Sequence, residues 1–267
     1  MAMTAGLLPA HGEDASPWFA DTHSQVRLIA GSNTARQPAL RAGLDVKLAP
    51  GWKTYWRYPG DSGVPPRFDF TASSNVKAVH VLWPAPRRMA DGGGQSIGYQ
   101  NRVILPLRVV PADPARPVQL HLKLSYAVCE KLCVPAEATT QLTLLAAASP
   151  QDAALTAAEA RVPKPAKLGS AGAVAIRAVR RDDTGSRPRI VVDVAAPKDV
   201  PVDLFAEGPT PAWALPLPEP RGAPAPELKQ FSFELDGLPA GAQPHGAELT
   251  FTLVAGAEAI EVKTRLD

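Results

Sequence analysis

The sequence predicts an all-β protein built as two β-sandwich domains joined by a short helical linker. Three observations carry this. The 267 residues include 29 prolines spread along the whole chain, about twice the usual share of ~5%. Proline is confined to turns, strand edges and first helical turns, so this density favours many short strands over long helices. Segments of alternating apolar and polar residues recur at short intervals, separated by Pro, Gly, Asp and Ser clusters, as in a sandwich. Near residue 150 the composition turns Ala-rich, which marks a boundary.

Taken in order, residues 1–20 predict a flexible N-terminal segment and 21–147 the first domain. Within it, residues 25–30 and 44–48 alternate with the period of a half-buried strand. Further strands are expected at 52–56, 67–70, 76–83, 103–110, 118–127 and 139–145. Residues 149–162 predict a short helix, with Ser149 as N-cap, Pro150 at the first helical position and an Ala-rich body ended by Pro163 and Pro165. That helix and the prolines after it make a linker, 148–168. The second domain, 169–267, has strand candidates at 174–180, 189–194, 200–207, 230–235, 248–254 and 259–266. Residues 209–226, Pro-rich and containing Trp213, read as a long loop or an edge segment. The second half has no cysteine, one histidine and no polar cluster suited to catalysis, so its expected role is structural.

Several function classes drop out. Net charge is +2 with only short basic clusters, Arg87-Arg88 and Arg180-Arg181, and a nucleic-acid binder needs a basic stripe with interleaved aromatics. No run approaches the 18 apolar residues of a membrane-spanning helix. The first twelve residues lack a basic n-region and a full apolar h-region, so they are not an intact signal peptide. They read as a remnant, either of a trimmed export signal or of cloning. The glycines of 92–94 are followed by neither a helix pattern nor a Lys-Ser/Thr pair, so they are not a phosphate cradle. No hydrolase motif is present.

The chemistry is expected at Cys129 and Cys133, the only cysteines, with Glu130, Lys131 and Leu132 between them. As a staple the pair is weak, because closing so small a ring is worth roughly 2 kcal/mol. Reversible thiol–disulfide exchange is the functional reading. A buried structural disulfide, two inert thiols, or a two-thiolate Cu(I) site are the others. The five histidines, His11, His23, His80, His121 and His245, make no close ligand spacing with the pair, and zinc needs four ligands. Lys131 favours a thiolate locally and Glu130 opposes it. The pair is placed just after a strand, on an exposed turn leading to the last strand of the domain.

Two more segments stand out. Residues 51–63 hold Trp52, Tyr55, Trp56 and Tyr58 with a Gly-rich turn, either core plus hairpin or an aromatic wall that shields a disulfide. Residues 84–98 read as a mobile Gly-rich loop, an ordinary surface loop or a lid.

Together the 51–63 segment, Trp83-Pro84, the strand 99–107 and the run 126–135 resemble the N-terminal periplasmic domain of the DsbD/ScsB thiol:disulfide interchange proteins, nearest the ScsB-like branch. The resemblance spans about residues 24–145; the second half is less specifically similar to the additional β domain of that branch. It implies immunoglobulin-like sandwiches and a protein-disulfide reductase, periplasmic and monomeric, with no cofactor and no metal because electrons travel as thiols. Its expected partners are a membrane-embedded or thioredoxin-like electron donor and exported thioredoxin-like proteins of the disulfide-isomerase type. By similarity Cys133 forms the mixed disulfide and Cys129 resolves it. Tyr55 falls where the family has an aromatic beside the disulfide, and 84–98 where it has a lid. Tyr99, Tyr126, Glu130 and Lys131 are expected to support the site, with Asp91 the one acid retained near the lid tip. Two departures from the DsbD branch are the narrower cysteine gap and the tip Ala90-Asp91-Gly92-Gly93, which leaves Met89 as the one bulky apolar lid residue. The alternative reading is a copper-binding or structural immunoglobulin-like module with a non-catalytic disulfide.

Overall fold

A computed structural model describes residues 13–34, 37–60, 63–91, 94–225 and 228–266. Its first half contains β1 (Phe19–Ala20), β2 (Ser24–Ala30), β3 (Leu40–Leu48), β4 (Lys53–Gly60), β5 (Arg67–Asp69), β6 (Val76–Val81), β7 (Arg87–Asp91), β8 (Gly94–Gln100), β9 (Arg102–Pro111), β10 (Val118–Cys129) and β11 (Cys133–Leu144). These form two facing sheets, ordered β1-β2-β3-β9-β6 and β11-β10-β4-β8-β7, with β5 beside β10. The strand β10 shows why. Val118, Leu120, Leu122, Leu124, Tyr126 and Val128 point into the core while Gln119 and Lys123 face out, the period-2 pattern of a half-buried strand. The outward row then changes character, because Ala127 and Cys129 are buried too, in a small cluster with Tyr55.

Residues 13–20, expected to belong to a flexible segment, instead lie against the first sandwich. Ser16 is buried, its Oγ 2.7 Å from Thr140 Oγ1, and accepts the Leu28 N–H. Backbone polar groups and a buried hydroxyl are satisfied together there, which fixes the segment. Residues 1–12 lie outside the described residues.

The predicted linker helix is shorter, α1 (Asp152–Glu159), with Gln151 at the N-cap position and no side-chain cap. Ser149 acts two residues earlier, donating to the Ala30 carbonyl and accepting from the Gln151 N–H. The helix docks on the first sandwich. Leu155 is fully buried, Arg41 reaches Asp152 and Glu159, and Arg108 reaches Glu159. Burial pushes the Glu159 carboxyl up, but hydrogen bonds from Arg41 and Arg108 outweigh it and leave its pKa below the ordinary range. A depressed folded-state pKa adds stability that is present above the unfolded value, about 4.3, and is lost as pH falls through the folded value. Glu159→Gln is expected to cost about 1 kcal/mol at pH 7 and to flatten the acid limb of a Tm-against-pH curve. Parallel acid limbs in variant and parent overturn this assignment.

The second half contains β12 (Lys164–Pro165), β13 (Ala175–Asp182), β14 (Arg189–Ala195), β15 (Val202–Glu207), β16 (Glu219–Ala225), β17 (Leu228–Glu234), β18 (Glu248–Ala255) and β19 (Glu258–Arg265). Its sheets run β12-β19-β18-β15 and β13-β14-β17-β16 around a core that includes Ile176, Val192, Leu204, Trp213, Phe231 and Phe251. The Pro-rich 209–226 stretch divides: Trp213 is buried in this core, and β16 is an edge strand with register shifts, where prolines are tolerated.

The two halves meet along β15. Leu204 and Ala206 belong to the second core, so Asp203, Phe205 and Glu207 alternate to the other face. Asp203 pairs with Arg88 of β7, Phe205 packs on Trp56 with ring centroids 5.8 Å apart, and Glu207 pairs with Arg57 of β4. Among the described residues no helix is long and apolar enough to cross a membrane.

Candidate functional site

Cys129 closes β10, Cys133 opens β11, and the two are register partners in an antiparallel hairpin, joined by a disulfide with Cα atoms 4.2 Å apart. The ladder extends to the cysteines themselves, so the last strand starts six residues before the predicted 139 and the pair sits at a hairpin tip. Three residues, Glu130 to Leu132, make the turn.

The two sulfurs have unequal surroundings. Cys129 is 1% exposed, inside the cluster with Tyr55 and Ala127, whereas Cys133 is exposed. Leu132 and Val134, on either side of Cys133, are 79% and 38% exposed. An attacking thiolate therefore has open access to Cys133 and none to Cys129.

Tyr55 lies on β4, which pairs with β10 through Val128–Thr54 and Cys129–Lys53. Its hydroxyl oxygen is 2.7 Å from Cys129 Sγ and 3.0 Å from Cys133 Sγ. Next to it, Thr54 Oγ1 donates to the Ala127 carbonyl at 3.0 Å, tying β4 to the last residues of β10. Two glycines make the close packing possible. A Cβ on Gly98 of β8 would lie 2.0 Å from the Thr54 carbonyl oxygen, and one on Gly63 would lie 2.7 Å from Tyr55 Cδ1. Gly63 thus packs against the tyrosine ring.

Among the described supporting residues, Tyr55 is the one whose side chain is brought onto the sulfurs. Glu130 and Lys131 are exposed in the turn, Glu130 lying against Gly51. Tyr99 is buried and donates to the Pro84 carbonyl at 2.8 Å; burial pushes its phenol up. Tyr126 faces the core, its hydroxyl oxygen 2.7 Å from Ser24 Oγ on the opposite sheet, and burial raises its pKa too. These two rings hold the sandwich behind the site. Asp91 pairs with Gly94 at the end of β7, and its side chain lies outside the described structure together with Gly92 and Gly93.

The expected mobile loop 84–98 is largely a β-hairpin, β7 with β8, in which Met89 is buried. Arg88 explains its order: it ties the hairpin to Asp203, Glu219 and the Pro218 carbonyl of the second half. Sequence reasoning missed Thr54 as a strand tie, and missed Arg57 and Arg88 as anchors. The partners that make these ties lie 73 or more residues away, and no local pattern marks such a pairing.

Among the described residues no group of three or more His, Cys, Asp or Glu is placed to hold a metal ion. What the site can do is exchange disulfides, since an accessible sulfur is bonded to a buried one with a hydroxyl against both.

Comparison with known proteins agrees with this geometry. The fold matches the crystal structure of the N-terminal periplasmic domain of ScsB from Proteus mirabilis, with a TM-score of 0.72, 22% identity, and coverage of 95% of this chain and 98% of that one. No curated protein matches the chain in sequence. The family described as thiol:disulfide interchange protein DsbD, N-terminal, matches residues 25–145, the segment that contains the hairpin tip, β4 and most of both facing sheets. Residues 25–145 of this chain therefore belong to the DsbD N-terminal family of thiol:disulfide interchange proteins.

Proposed function

We propose that Cys129 and Cys133 are a working dithiol/disulfide pair that passes reducing equivalents from a membrane-embedded or thioredoxin-like donor to exported thioredoxin-like proteins. The observation that carries this is the asymmetry at the hairpin tip: Cys133 is exposed, Cys129 is buried, and Tyr55 touches both sulfurs. The setting is the periplasm, as for the Proteus mirabilis domain. The working unit is a monomer, with a redox domain over 21–147, a linker over 148–168 and a second domain over 169–267.

A donor thiolate attacks Cys133 Sγ, a new S–S bond forms, and the Cys129–Cys133 bond breaks with its electron pair going to Cys129 Sγ. A second donor thiolate then attacks the donor sulfur of the mixed disulfide, and the released donor is oxidised while the pair here is left as two thiols. In the forward half, Cys133 thiolate attacks the partner's disulfide. Cys129 thiolate next attacks Cys133 Sγ, releasing the partner as a dithiol and restoring the disulfide.

The test is the equilibrium redox state of the pair across a dithiol buffer series, read by alkylation and intact mass. A midpoint between roughly −200 and −270 mV, where catalytic thiol proteins lie, is the expected result. A midpoint below about −300 mV, or thiols that never oxidise, overturns the proposal in favour of a structural bridge or a metal-ligand pair.

A further inference from the structure

After Tyr55, the next three residues of β4 are each gripped by the second sandwich. Trp56 packs on Phe205. Arg57 donates through Nε and Nη2 to both carboxylate oxygens of Glu207, at 2.9 and 2.7 Å, and through Nη2 to Glu261. Tyr58 donates from its hydroxyl to the Trp213 and Leu215 carbonyls at 3.2 and 2.7 Å. Beyond them, Gly63 returns against the Tyr55 ring. The residue that touches both sulfurs is thus flanked by strand that belongs, in its contacts, to the other half of the molecule.

We propose that the second sandwich positions the redox site: Glu207 and Glu261, clamped on Arg57, fix β4 so that the Tyr55 hydroxyl rests on the sulfurs. This rests on the exchange function proposed above. Arg57 and the two glutamates are positioning residues, since none of them touches sulfur. Tyr55 is the group they serve. When an attacking thiolate bonds to Cys133 Sγ and the electron pair of the broken S–S bond moves to Cys129 Sγ, the hydroxyl at 2.7 Å donates a hydrogen bond to that new anion. No proton needs to be transferred. A strand advances about 3.3 Å per residue, so the clamp acts on Tyr55 across two residues, within reach of a small shift in the strand.

The clamp suits the task better than an exposed ion pair would. Arg57 is about three-quarters shielded, and Glu207 and Glu261 are also largely covered. Burial pulls the Arg57 guanidinium down, yet the two carboxylates outweigh this and its pKa rises above the ordinary value. Its ring neighbour Trp56 lies 4.5 Å below the guanidinium carbon, which fixes the plane of the fork as well as its charge.

The experiment compares the rate at which dithiothreitol reduces the Cys129–Cys133 disulfide, and the pH dependence of Cys133 alkylation in the reduced protein, across four variants. Tyr55→Phe is expected to slow reduction about tenfold or more, the effect of removing one hydrogen bond to a charged group, and to move the alkylation profile to higher pH. Glu207→Gln with Glu261→Gln is expected to reproduce at least a threefold part of both changes. Asp203→Asn, which loosens the other anchor of the same interface at Arg88, is expected to lower Tm but leave rate and pH profile within twofold of the parent. Arg57→Lys keeps the charge without the fork and provides the reading if the double variant does not fold; it too is expected to slow reduction. The positioning role is overturned if the clamp variants reduce at the parent's rate, or if Asp203→Asn slows reduction as much as they do. Failure of the exchange function itself shows separately, as a parent midpoint below about −300 mV.

Discussion

Cys133→Ser is expected to abolish mixed-disulfide formation with a thioredoxin-like partner, whereas Cys129→Ser is expected to trap that partner covalently. The reason is exposure. Cys133 stands open at the hairpin tip between exposed Leu132 and Val134, and Cys129 is 1% exposed behind Tyr55. With Cys129 gone, the bond formed at Cys133 has no nearby thiolate to resolve it, so the adduct accumulates. With Cys133 gone, the remaining sulfur is out of reach. Either change also removes the disulfide, which closes a ring too small to constrain the unfolded chain by more than roughly 2 kcal/mol. Each variant should therefore lose only about 4–8 °C in Tm, taking 2–4 °C per kcal/mol for a chain of this size. Non-reducing electrophoresis with a thioredoxin-like partner, paired with calorimetry, checks both halves. Trapping by Cys133→Ser, or a collapse of stability in both variants, would contradict the assigned order of attack.

Trp56→Ala should cost about 3–5 kcal/mol, the range for deleting a buried large aromatic. Trp56 is fully buried, belongs to the first core, and packs on Phe205 of β15 while its ring carries the Arg57 guanidinium. Trp56 touches both halves, so the cavity opens in the first core and at the junction together. Trp56→Phe should cost clearly less, because the indole N–H makes no hydrogen bond within the described protein and none is lost with it. Denaturant unfolding of the three proteins measures this. A loss below about 1 kcal/mol for Trp56→Ala would place the residue at a site that collapses freely, against the packing described.

Much of the strand pattern was legible from local chemistry. In β10 the apolar residues at 118, 120, 122, 124, 126 and 128 recur with period 2, and that period alone assigns the inner face. The same logic places Leu204 and Ala206 inward and Asp203, Phe205 and Glu207 outward on β15. What those outward residues meet was not legible, because an ion pair between Arg57 and Glu207 joins positions 150 apart and leaves no periodic trace. The helix is shorter than its Ala-rich composition suggests: Ser149 donates to the Ala30 carbonyl and accepts from the Gln151 N–H two residues before the N-cap position, and the helix begins only at Asp152. The 84–98 stretch reads as a loop by its glycines, yet pairing with β8 and the Arg88 anchor hold most of it as strand.

For the site, the reagents are readable from residue order alone: two cysteines with three residues between them, a tyrosine in an aromatic segment and a turn between strands. Residue type and spacing settle that, because two thiols this close in sequence can meet and close a short ring. Which sulfur is exposed, which tyrosine touches it and which distant carboxylates hold the strand that carries that tyrosine follow from the folded packing. Burial and hydrogen bonding depend on what lies across a sheet or between two sandwiches, and that is settled by packing among segments far apart in the chain.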